Sequence, residues 1–117
     1  METIDVIFYD KADGTKPAEE FISGLDEGMR AKITRAINLL KTRGSLLRRP
    51  YSAYLGDGIF ELRAQFGSDI SRVLYFFIIN NQAVLTHGFV KKTQKTPAEE
   101  IKRAKFYRAD YLSRKGD

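Results

Sequence analysis

The chain has 117 residues, 43% of them hydrophobic and 30% charged, a length and balance that suit one domain over 1–117 and exclude a disordered chain. It holds no Cys and one His, which excludes a disulfide framework and argues against a zinc centre, so no metal and no cofactor is expected. A net charge of +5 and a pI of about 9.5 favour a polyanionic partner, nucleic acid first.

Ile4 to Tyr9 reads as a strand, with Ile4, Val6 and Phe8 alternating to one side. A turn over Asp10 to Gly14 follows. Pro17 then opens a helix, where its missing N–H costs nothing. A second helix is predicted from Asp26 to Arg43, because Met29, Ile33, Ala36, Ile37 and Leu40 recur at spacings of three and four. Gly44 is its expected stop.

Residues 45 to 58 carry the turn signals of a loop, with Tyr51, Tyr54 and Leu55 available to pin it to the body. Three strands follow. In Ile59 to Gln65, Phe60, Leu62 and Ala64 take one face and Glu61, Arg63 and Gln65 the other. Arg72 to Ile79 is apolar on both faces, as a central strand is, and Ala83 to Val90 returns after a turn at Asn80 to Gln82. Thr96, Pro97 and Glu99 form a capping box that starts a last helix, running to about Leu112, with a frayed tail from Ser113 to Asp117. The order β-α-α-β-β-β-α predicts an α+β fold: a curved antiparallel sheet with helices packed on one face. No apolar run approaches the roughly 18–20 residues of a membrane span, and the start lacks a signal-peptide pattern. A cytoplasmic protein without membrane contact is expected.

The positive charge is segregated. From Lys91 to Asp117 nine Lys or Arg stand against four Asp or Glu, while the first 28 residues are acidic on balance. Arg63, Arg72, Lys91 and Lys92 fall near strand ends that an antiparallel meander brings together. Such a set suits metal-independent RNA cleavage, in which the 2′-OH attacks the adjacent phosphate. Arg holds the phosphate bidentately. Lys moves protons once burial or a neighbouring cation lowers its pKa. His87 is the natural acid or base by intrinsic pKa. Lys95, Arg48, Arg49, Lys102 and Lys105 supply further contacts to RNA backbone. Each has a second reading. Arg63 and Arg72 can pair with Glu61 and Asp69. His87, sharing a face with Leu85 and Phe89, can be a buried structural residue. The lysine run, the Arg48–Arg49 loop and the basic last helix can be solvated surface.

The stretch Leu55-Gly56-Asp57-Gly58-Ile59-Phe60-Glu61-Leu62-Arg63 resembles the second-strand signature of the HigB-like, phage-derived branch of the RelE/ParE toxin superfamily. Arg72-Val73-Leu74-Tyr75 resembles its third strand. His87-Gly88-Phe89-Val90-Lys91-Lys92-Thr93-Gln94-Lys95-Thr96-Pro97, with Glu100, Ile101 and Ala104, carries the likeness furthest. The resemblance implies a RelE-like fold and the toxin of a type II toxin–antitoxin system. It further implies a ribosome-dependent mRNA endoribonuclease that inhibits translation and arrests growth, with a helix-turn-helix antitoxin, the ribosome and mRNA as partners. Arg63 and Arg72 match the motif arginines, and Lys91 and Lys92 the lysine pair. The chain departs from better-known HigB toxins in lacking a C-terminal His. The alternatives are a ParE-like gyrase poison on the same fold and a non-toxic nucleic-acid-binding phage accessory domain.

Overall fold

The computed structural model describes residues 3–79 and 81–115. Its elements are β1 (Asp5–Phe8), α1 (Pro17–Ser23), α2 (Glu27–Arg43), β2 (Ser52–Gly56), β3 (Ile59–Phe66), β4 (Asp69–Ile78), β5 (Gln82–Lys91) and α3 (Ala98–Lys115). One five-stranded sheet runs in the order β1-β5-β4-β3-β2. Every neighbouring pair is antiparallel except β1 with β5, which is parallel. The α+β class is as the sequence predicts.

Local chemistry accounts for the elements. Asp26 caps α2, its carboxylate accepting from the Met29 N–H at 3.1 Å. The β2–β3 hairpin closes on Asp57 and Gly58, both at positive φ (53° and 80°), the two-residue turn whose twist matches the strands. The predicted α2 stripe is buried against Leu62, Ala64, Val73, Tyr75 and Leu85. Each fully buried Leu or Ile there contributes about 1.5–3 kcal/mol.

Four expectations change. The helices do not share one face: α1 and α2 cover the side of Leu62, Val73 and Tyr75, and α3 covers the other, where Ala104 and Tyr111 pack on Ile59, Leu74 and Phe76. Consecutive β4 residues point to opposite faces, so a strand apolar on both sides needs a cover on both. The stretch read as loop contains β2, an edge strand hidden by its Gly and Pro surroundings. The Thr96 hydroxyl, expected to cap α3, donates to Glu61. Finally, α3 continues through Lys115, where the sequence predicts a frayed tail. Its C-terminal half is tied down, with the Tyr9 hydroxyl donating to Asp110 at 2.6 Å and Arg114 pairing with Asp110 at 2.9 Å. Asn80, in the predicted turn, and Gly116 and Asp117, in the predicted tail, lie outside the described residues.

Candidate nucleic-acid interface

β2 pairs with β3 only from Ile59 to Leu62. Past one more bond, from the Arg63 N–H to the Tyr51 carbonyl at 2.9 Å, the outer edge of β3 has no β2 partner. At that gap lies a cleft of about 930 Å³ between α2, the 49–51 segment and the end of β3. Lys32 and Arg35 of α2, Arg49 and Arg63 all line it, and none of its lining residues is acidic. Four cations at one concave site set up a positive field that draws an anionic backbone. Tyr51 and Gln94 complete its polar wall.

Arg63 is held in place from two sides. Its Nε lies 3.8 Å from Glu61 Oε2, and its Nη2 donates to Gln94 Oε1 at 2.8 Å. Arg63 and Arg72 are direct cross-strand partners, so both arginines flank the Glu61 carboxylate. Arg72 is fully enclosed, at 0% exposure, and Glu61 is nearly so at 2%. Arg72 Nε stands 3.6 Å from Glu61 Oε1, its Nη2 donates to the Thr93 carbonyl, and its guanidinium lies 5.8 Å from the Phe89 ring centroid. Its Nε and Nη1 make no hydrogen bond among the described residues. Burial lowers its pKa from the ordinary arginine value; Glu61 opposes that and Arg63 adds to it. Like charges on paired residues repel, and the buried carboxylate between them is what makes the arrangement tenable.

These contacts revise the predicted site. Arg63 and Arg49 do converge. Arg72 is not placed to hold a phosphate, because it is fully enclosed beside Glu61; its one side-chain hydrogen bond among the described residues goes to the Thr93 carbonyl. His87 is not at the cleft either. It is buried under α3, with Nδ1 3.1 Å from Thr86 Oγ1 and Nε2 3.0 Å from Glu100 Oε1. Burial lowers its pKa, against the pull of Glu100. Nor does it share a face with Leu85: a bulge places Leu74 opposite His87 but Tyr75 opposite Leu85, so the extra residue, Thr86, turns the two onto opposite sides.

Lys91, Lys92 and Lys95 are exposed around the end of β5, and Lys92 pairs with Asp69 at 2.8 Å. Arg48 folds back, donating to the Ser45 carbonyl at 2.7 Å. Lys105 lies toward the other end of β3, bridged to Asp57 at 2.5 Å, and Lys102 is exposed on α3. None of these six lines the cleft. Conversely, Lys32 and Arg35 are absent from the set that sequence reasoning finds. They do leave a signal, since two cations three residues apart on a helix share a face. Only the gap beside β3 gives that face a purpose.

Fold and cleft together describe a small α+β domain with a built cationic site. Residues 20–108 match the family model described as Phage derived protein Gp49-like (DUF891), and the chain belongs to that family. A search of curated proteins gave no match. Among the described residues no helix is long and apolar enough to cross a membrane.

Proposed function

We propose that this chain is the toxin of a type II toxin–antitoxin system and acts as a ribosome-dependent mRNA endoribonuclease. The observation that carries the reading is the convergence of Lys32, Arg35, Arg49 and Arg63 on the open edge of β3. The phage-derived family and the RelE/HigB likeness of residues 55–104 support it. In this reaction the 2′-OH attacks the neighbouring phosphorus, leaving a cyclic phosphate and a 5′-OH. Extra negative charge develops on the phosphoryl oxygens. Arg63, already oriented by Glu61 and Gln94, meets that charge without reorganisation, and fixed donors of this kind are often the largest single contribution to a rate. Lys32, Arg35 and Arg49 bind the flanking backbone. The ribosome contributes an in-line geometry for the attack. A helix-turn-helix antitoxin is the proposed inhibitor, and the cytoplasm the proposed location.

The test is induction without antitoxin, followed by primer-extension mapping of transcripts. Discrete mRNA cuts are expected. Arg63→Ala lowers the cleavage rate by about a hundredfold. The surface variant Lys32→Ala/Arg35→Ala relieves growth arrest while its circular dichroism stays native. DNA damage without transcript cuts would refute the nuclease reading and point to gyrase poisoning. Unrestricted growth on strong expression would refute the toxin reading.

A further inference from the structure

Phe66 is the last residue of β3, next along the strand from the cleft-lining Ala64 and Gln65, and 47% of it is exposed. A lone exposed Phe is ordinary. This one differs in two ways. Its ring tip is seated on the first turn of α2 at Gly28, so closely that a Cβ there would lie 2.7 Å from Phe66 Cζ. The ring is thus held in position rather than swinging on a hairpin tip. Its second tie is to Lys32, whose Nζ stands 5.9 Å from the ring centroid while the same residue lines the cationic cleft. A fixed, half-exposed aromatic surface therefore shares a cation with the cleft that is to hold phosphate.

Positive groove and adjoining aromatic ring are the two components of a single-strand nucleic-acid site: cations track the backbone and the ring takes the face of a base. In a duplex the base faces are stacked on one another and cannot reach such a ring. Resting on the function proposed above, we infer that Phe66 is a stacking platform for one unpaired RNA base whose phosphate lies in the cleft.

The probe is a short single-stranded RNA carrying 5-iodouridine, irradiated on the full chain at low salt, with the crosslink mapped by mass spectrometry. A crosslink at residue 66 is expected, and a duplex of the same sequence should give none there. Phe66→Leu keeps an apolar group over Gly28 but removes the π face. It should lose the crosslink and weaken affinity about tenfold, with the dependence of affinity on salt unchanged. Phe66→Tyr should retain both. Lys32→Ala/Arg35→Ala should instead flatten the salt dependence, by about 0.7 in log–log slope for each phosphate left without its cation. Salt-dependent binding with no crosslink at 66, or with Phe66→Leu binding as the wild type does, would overturn the platform and leave the cleft standing. Failure of the wild type to bind the oligonucleotide at all would overturn both.

Discussion

Glu61→Gln probes the buried centre of the site. The substitution keeps the shape of the side chain and removes its charge. Arg72, at 0% exposure, is left as a cation with no anion beside it, holding only its bond to the Thr93 carbonyl. Breaking a buried pair by removing one partner costs about 3–5 kcal/mol. The retained amide oxygen, still able to accept from Thr96, puts the expected loss near the lower end, about 3 kcal/mol. That is a large fraction of the roughly 5–15 kcal/mol holding a domain together. At about 4 °C per kcal/mol, the melting temperature falls about 12 °C. The partner experiment is Glu61→Leu/Arg72→Met, which removes both charges. With the fully enclosed cation removed along with its anion, and Arg63 still in contact with solvent, stability returns to within about 1 kcal/mol of wild type. Transcript cleavage should not return with it, because Arg63 and Thr96 have lost their anchor. Urea and thermal unfolding of the three proteins give the stabilities, and primer extension gives the activity. A Glu61→Gln protein within about 0.5 kcal/mol of wild type, or a double variant no more stable than the single, would refute the reasoning.

Burial lowers the pKa of His87, so the folded protein favours the neutral ring. Its contribution to stability is full above the unfolded value of 6.5 and drains away as pH falls from there toward the lower folded value, because the unfolded chain takes up the proton first. Urea titrations at pH 7 and pH 5 should therefore show a smaller acid-induced loss in His87→Gln than in wild type, and equal losses would contradict the assignment. Tyr9→Phe deletes the hydroxyl bonded to Asp110 at 2.6 Å and should cost about 1.5–3 kcal/mol, as hydrogen bonds to charged groups do, with the C-terminal half of α3 exchanging its amide protons faster. No change in exchange there would mean that Arg114 alone holds Asp110.

Much of the fold is legible because one-sided burial writes itself into the sequence as a period. The stripe from Met29 to Leu40 and the alternation of Phe60, Leu62 and Ala64 against Glu61, Arg63 and Gln65 both appear as predicted. What fails to show involves single residues or distant partners. One extra residue at Thr86 reverses which face every later β5 side chain takes, and no local pattern announces it. β2 is short and framed by Pro50 and Gly56, so its composition reads as turn. Arg63 stands out as a strand-end cation, whereas Arg72 looks the same in sequence and differs only in what encloses it. Lys32 and Arg35 sit on the polar side of an ordinary amphipathic helix, and their meeting with Arg49 and Arg63 depends on a tertiary gap that no single segment encodes.

Because β2 begins only at Ser52, opposite Leu62, residues 64–66 of β3 form a bare rim at which a strand from another molecule can dock, the usual seed of sheet-to-sheet aggregation. Lys32, Arg35, Arg49 and Arg63 stand beside that rim, and a second copy approaching it brings the same four charges. Mutual repulsion keeps the molecules apart until a polyanion neutralises them. The groups proposed to grip RNA thus also act as gatekeepers of solubility, and a variant disarmed by neutralising them gives up some of its protection against self-assembly.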